Sequence, residues 1–388
     1  MGIICPTSQL SSPPIKSICS RINIMLEILT LLPVSGFGSK VREGSMDQLL
    51  VKSKTLRVDK KIVESSKDAH NYVAVDLNDI PTQTPLSFTV YYLIMSDRET
   101  GTAEFPPLIK AGSQLTGEFK KFLQQRDVTK VFIHKEEFNL FLKRSAIRLK
   151  ELVTNPYLKA SKKNEILYRN ATYVIKSIFS DPKVGENFKH AISIVEIYSN
   201  FISMSEDIHP SLLIQIFAKD YNLFAHSVQV AILAISFAKI LGKTQEEIFQ
   251  LGLGGLLHDI GKLKISEEIL NKPGPLTKEE FELMKSHPIY GKEILDKQTS
   301  LLPKESIIIT LEHHESADGN GYPGKKTLED THPLAQIIHI VDCYDALTMN
   351  RVYRSALSPF EALKTMCNEM KSSFNLKLLE NFIMFLGY

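Results

Sequence analysis

The sequence predicts a mostly α protein: an all-helical domain over residues 145–388, preceded by a small α/β domain over 66–144 and an irregular leader over 1–65. Three observations carry this. Strand-like runs cluster before residue 144 and nearly vanish after it. Beyond Ser145, apolar residues recur at helical spacing. Histidines and aspartates, residue types that bind metal, stand in or at the ends of those apolar runs.

Composition bounds the function. A chain of 388 residues has room for two or three domains, and 43% hydrophobic with 23% charged residues is ordinary for a globular protein. The formal net charge of +2 gives no basis for a nucleic-acid partner, so any basic groups that matter must act locally. Cys5, Cys19, Cys343 and Cys367 lie far apart without paired spacing, which argues against a disulfide framework or a cysteine zinc motif and for a reducing cytoplasm.

In the leader, Lys16 and Arg21 precede an apolar run over 22–34, and Ser35 and Gly36 follow it, the order of a signal peptide. Glu27 interrupts the run, however, and the run is short of the roughly 20 residues that span a bilayer, so no membrane association is expected. A translation start at Met46 instead of Met1 is an equally plain account of the segment.

The α/β domain follows. YVAVDL (72–77) alternates, FTVYYLIM (88–95) is β-branched and aromatic, and VFI (131–133) is a short apolar run, so all three read as strands. A helix beginning near Thr116 carries Phe119, Phe122 and Leu123 on one side. The segment contains no acidic pocket, glycine-rich phosphate loop or nucleophile motif, which suits a regulatory or docking module, with a protein partner, more than a catalyst.

Helical periodicity then dominates over 146–153, 166–179 and 188–202, punctuated by Asp181, Pro182 and Gly185. The run 221–241 is apolar nearly all round, which predicts a buried helix ended by Gly242, and it contains one imidazole, His226. The next helix, 246–257, leads into His258 and Asp259, a neutral nitrogen donor beside a carboxylate whose two oxygens can bridge two cations. Thr277 and Glu280 form a capping box for a helix through Met284 that stops where Pro288 forces a boundary, leaving His287 there. The stretch HHESADGNGYP (313–323) begins with His313 and His314 and passes into a glycine- and proline-bearing loop; the apolar run AQIIHIVD, strand-like or helical, ends in Asp342.

The metal-ligand set is therefore His226, His258, Asp259, His287, His313, His314 and Asp342. Five imidazoles and two carboxylates suit iron, manganese, zinc or nickel and offer too few oxygens for calcium. Seven ligands exceed what one ion accepts while keeping a position for water, so the expected cofactor is a pair of divalent transition-metal ions.

His258-Asp259-x-Gly261-Lys262, together with the complete HHExxDGxGYP stretch, resembles the HD-GYP family of metal-dependent phosphohydrolases, which hydrolyse cyclic di-GMP in bacteria. The resemblance runs from about Glu165 to the C-terminus and takes in the helix around His226, ILNKPGPLT (269–277) and DCYDALTMNRVYR (342–354). It implies an HD-type helical fold, a two-metal centre of iron or manganese bridged by Asp259, and phosphate contacts from Lys262, Arg351 and Arg354. Asn222 stands where some members carry a glutamate that serves a third metal, so a third ion is not expected. Arg351-Val352-Tyr353 replaces a frequent Arg-Pro-Tyr and keeps the charge.

The expected chemistry is phosphodiester hydrolysis by a metal-activated water, with Asp259 and Lys262 catalytic. Tyr322 either contacts a guanine of the substrate or packs the loop. Two alternatives stay open: a related phosphohydrolase acting on another cyclic dinucleotide, and a signalling adaptor that binds nucleotide without turnover. A homodimer is compatible with the sequence.

Overall fold

The structure, a computed structural model, describes residues 69–95, 103–204, 223–350 and 355–387. The leader, Asn222, Arg351 and Arg354 lie outside the described residues. The chain divides into two compact units between Phe138 and Asn139.

In the first unit, strands β1 (Tyr72–Asp76), β2 (Val90–Tyr91), β5 (Pro107–Ile109) and β6 (Lys130–His134) form an antiparallel sheet in the order β1-β6-β2-β5. The β1–β6 register pairs Tyr72 with His134 and Asp76 with Lys130. The single strand expected over 88–95 is two: β3 (Ile94–Met95) leaves the sheet to pair with β4 (Ala103–Glu104). The reason lies partly in its neighbour. β5 starts at Pro107 after Pro106, residues with no amide hydrogen to donate, and the pairing shifts register between Val90 and Tyr91. Helix α1 (Gly117–Gln124) is capped by the Thr116 hydroxyl, which accepts from Phe119 N at 3.1 Å.

The second unit has helices and connecting loops and no strand among its described residues. It runs α2 (Phe138–Thr154), α3 (Ala160–Ser180), α4 (Gly185–Met204), α5 (Leu223–Ile240), α6 (Gln245–Leu257), the short α7 (Glu267–Leu270), α8 (Lys278–Met284), α9 (His287–Leu295), α10 (Lys304–Glu312), α11 (Pro333–Thr348), α12 (Pro359–Asn368) and α13 (Leu376–Phe385). The boundary expected near Arg144 lies inside α2.

Helix α5 is the core element. Its mean hydropathy of 1.7 would suit a membrane span by composition, but 78% of it is buried against α3, α4, α6, α11 and α13. Gly242 ends it with φ +69°, the left-handed conformation of a helix C-cap. The expected capping box of Thr277 with Glu280 opens α8, and the structure adds one of Thr244 with Glu247 at the start of α6. Pro288 does more than end a helix, because it sits in the first turn of α9, where its missing N–H costs nothing. AQIIHIVD is helical, within α11.

Candidate metal centre

Five helices, α5, α6, α9, α10 and α11, bring the seven expected ligands together. His226 sits within α5 and Asp342 within α11, whereas His258 and His313 are the residues that cap α6 and α10, and His287 opens α9. Among the described residues three overlapping groups have ligand atoms within 4.8 Å of one another: His287–His313–His314, His226–His258–Asp259, and His258–His313–Asp342.

The helix ends explain how the rings are aimed. His258 Nδ1 donates to Gly255 O, His287 Nδ1 to Met284 O and His313 Nδ1 to Thr310 O, each at 2.8 Å. These carbonyls belong to last helical turns, which leave acceptors without an amide partner. Each ring satisfies one and thereby carries its proton on Nδ1, with a bare lone pair on Nε2.

The lone pairs converge where no group among the described residues receives them. His287 Nε2 and His313 Nε2 are 3.2 Å apart with no proton between them. His258 Nε2 and Asp259 Oδ1 are buried without a hydrogen-bond partner among the described residues. Unsatisfied buried polar atoms are rare and cost about 1–3 kcal/mol each, so a cluster of them facing one point fits a cation. Asp259 divides its oxygens: Oδ1 lies 3.3 Å from His287 Nε2, while Oδ2 lies 3.3 Å from His258 Nε2 and 3.7 Å from His226 Nε2. Asp342 does the same, with Oδ1 at 3.1 Å from His226 Nε2 and Oδ2 at 3.9 Å from His314 Nδ1.

The electrostatics agree. Burial and crowding among imidazoles hold His313 and His314 well below the usual histidine range, and burial takes His287 down to about 4, so these rings are neutral at pH 7 and able to ligate. Burial would raise the Asp259 carboxyl, but the Lys262 ammonium beside it outweighs that and keeps the carboxylate ionised. Burial works against charge on His226 as well; its hydrogen bonds to Asp342 and Asp345 prevail and raise it, because two carboxylates favour positive charge there, whether proton or metal.

Lys262 Nζ lies 2.6 Å from Asp259 Oδ2, one turn along the 3-10 segment Ile260–Lys264. That segment packs against α9 so closely that a Cβ on Gly261 would fall 1.8 Å from His287 O. Gly321 has the same function in the loop: its Cβ would meet Ser316 N at 2.3 Å and His314 O at 2.5 Å. Tyr322 is half-buried, with its ring centroid 4.7 Å from that of His314, and its amide donates to His314 O at 3.0 Å. It packs the loop onto a candidate ligand.

Two residues escaped the sequence reading. Asp345, fully buried, accepts from His226 Nδ1 at 2.6 Å and so orients that ring as the backbone carbonyls orient the others. Its position, one helical turn beyond Asp342, was the available signal. His339, one turn before Asp342, donates from Nδ1 to His313 O at 2.9 Å.

Comparison with known proteins bears on this geometry directly. Residues 211–378 match the HD domain family. This part of the chain is an HD domain. The chain is 34% identical over 229 residues, 57% of its length, to the cyclic di-GMP phosphodiesterase PA4108 of Pseudomonas aeruginosa, and spans 53% of that protein. It is 37% identical over 155 residues, 39% of its length, to the 3'3'-cGAMP-specific phosphodiesterase 1 of Vibrio cholerae, spanning 35% of it. The chain thus covers about half or less of these relatives. In fold, it matches Bd1817, an HDG"Y"P protein from Bdellovibrio bacteriovorus, with a TM-score of 0.59 over 82% of this chain and 100% of that one, at 21% identity. The HD domain contains every ligand candidate of the site, from His226 to Asp342.

Proposed function

We propose that the chain is a metal-dependent cyclic dinucleotide phosphodiesterase acting on cyclic di-GMP. The observation that carries this is the buried cluster of imidazoles and carboxylates around Asp259, in which His258 Nε2 and Asp259 Oδ1 are unpaired and His287 Nε2 faces His313 Nε2, set in an HD domain that also has the complete HHExxDGxGYP stretch. The relatives named as cyclic di-GMP and 3'3'-cGAMP phosphodiesterases support the same reaction class.

In this reading His226, His258, Asp259, His287, His313, His314 and Asp342 would hold two divalent ions, iron or manganese. Bound there, the ions would supply Lewis-acid stabilisation of the phosphodiester and activation of a water at neutral pH. The protein's own share is positional. Asp345 and the helix-end carbonyls keep the rings of His226, His258, His287 and His313 in the tautomer that faces the centre. Lys262, beside Asp259 and part-exposed, offers an ammonium to a non-bridging phosphate oxygen or the leaving group. Arg351 and Arg354 supply planar, bidentate donors for a second phosphate. The first unit serves as a docking or regulatory module, and the reaction takes place in the cytoplasm.

The test is hydrolysis by purified protein with and without added manganese or ferrous iron, with products of cyclic di-GMP and 3'3'-cGAMP separated chromatographically. Metal-dependent consumption of cyclic di-GMP is expected. Consumption of 3'3'-cGAMP alone would move the substrate assignment to the other class of relatives, and metal-loaded protein that binds but turns over neither would make the chain an adaptor.

A further inference from the structure

His313 and His314 leave the end of α10 on a backbone whose carbonyls no longer meet helical amides, yet both rings must be held to within a fraction of an ångström to ligate. The three carbonyls at that helix end are each caught differently. Glu312 O accepts from Glu315 N at 2.8 Å and His314 O from Tyr322 N at 3.0 Å, both local turns. His313 O instead accepts from a side chain of another helix, His339 Nδ1 at 2.9 Å. A carbonyl oxygen can only accept, so the His339 proton is on Nδ1 and its Nε2 accepts from the Ser373 hydroxyl at 2.8 Å.

Ser373 belongs to the 3-10 turn Lys371–Ser373, far along the chain and tied to the residues just after the histidine pair. Ser373 O accepts from Ala317 N at 3.0 Å, Ser373 Oγ lies 3.1 Å from Ser316 Oγ, and Ser372 Oγ donates to Asp318 Oδ2 at 2.9 Å. Asp318 also accepts from Ser316 Oγ at 2.6 Å and from Asn320 N at 3.0 Å. The Phe374 ring lies beside His339, centroids 5.2 Å apart. His339 is thus the pivot between α11, the histidine-bearing helix end and a turn near the C-terminus.

We infer that His339, braced by Ser373, is a positioning residue that sets the direction of His313 and His314 by holding the His313 carbonyl. The inference rests on the metal-centre reading. Its consequence is asymmetric. The His287–His313–His314 group, and through His313 the His258–His313–Asp342 group, depend on the His339 hydrogen bond, whereas the His226–His258–Asp259 group is oriented by Asp345 and Gly255 and does not.

The experiment is titration of metal-free full-length protein with Mn²⁺, following bound metal and melting temperature. His339→Phe keeps the ring volume and removes both polar links. It should weaken one Mn²⁺ per chain by about 10–100-fold and leave the other near its wild-type affinity. His339→Asn places an amide donor near Nδ1 and should restore most of the loss; His339→Gln, which reaches toward Ser373 instead, should not. Ser373→Ala should shift the same site in the same direction by less, and it keeps the test open if His339→Phe fails to fold. Two sites of wild-type affinity in His339→Phe or His339→Gln would overturn the inference while leaving the proposed function in place. Equal weakening of both sites, tracking a lower melting temperature of the metal-free protein, would also overturn it in favour of a purely structural role. Wild-type protein that takes up no Mn²⁺ would overturn the metal-centre reading itself.

Discussion

Two sets of buried polar groups lie side by side in the stretch from Glu312 to Gly324, and they behave oppositely. Glu312 and Glu315 are about as buried as the ligand candidates, at 5% and 3% exposure, but each is saturated. Glu315 accepts from Gly324 N at 2.5 Å and Lys326 N at 2.8 Å; Glu312 accepts from Lys326 Nζ at 2.6 Å and His332 N at 2.8 Å. The neighbouring His313 satisfies only its Nδ1, and its Nε2 faces another bare imidazole nitrogen. The carboxylates close the loop upon itself, while the rings are left with bonding capacity directed at one point. A buried polar group that is fully paired maintains structure, and one that is aimed but unpaired marks where a ligand belongs.

The contrast breaks most visibly at His287. Replacing it by leucine removes one of the two facing Nε2 atoms, so the metal-free protein should melt at the same temperature or higher, while metal-induced stabilisation and hydrolysis disappear. Thermal melts with and without Mn²⁺ check this, and a lower melting temperature of the metal-free variant would mean that His287 is structural like the glutamates. Lys262→Met should come next, lowering kcat/KM by about 10²–10³-fold with metal content unchanged, as expected for a charge that meets the phosphate. Elemental analysis beside the kinetics separates that result from a loss of Asp259 as a ligand.

Much of this site was legible because its chemistry is concentrated at helix ends. His258-Asp259 after one apolar run and His313-His314 after another announce themselves by residue type, and Gly261 and Gly321 occupy places where any Cβ would collide with backbone. Asp345 and His339 were not legible in the same way: each lies in an apolar helix and acquires its role only when α11 packs beside α5 and α10. The splitting of residues 88–95 into two strands was hidden for a related reason, since the run itself is strand-like and the disruption comes from the partner that brings Pro106 and Pro107. Local periodicity describes a segment; it does not describe what the segment meets.

On the saturated side, Glu315→Ala should cost about 2–4 kcal/mol, because it strips two backbone donors of their acceptor in a half-buried loop. Denaturant unfolding should show the loss equally with and without metal, in contrast to His287→Leu. The smallest effect is expected where the same kind of pairing sits in water. Glu186 bonds Lys143 at 2.9 Å and Lys189 at 3.1 Å, and these hydrogen bonds bring its carboxyl down to about 2 from an ordinary 4.5. A carboxyl lowered on folding adds stability above its unfolded pKa and loses it as pH falls through the folded one, so the contribution fades from about pH 4.5 toward 2. Solvent screening keeps it small. Glu186→Gln should cost less than about 1 kcal/mol at pH 7 and less again at pH 2, by unfolding curves at the two pH values.

The central claim, that the unpaired atoms around Asp259 are metal ligands, is tested most directly by elemental analysis of anaerobically purified protein, repeated on Asp259→Ala. About two transition-metal ions per chain are expected in the wild type, and neither should be held tightly once the shared carboxylate is gone. Wild-type protein that carries no transition metal and takes up none, or Asp259→Ala with full metal content, would contradict the account.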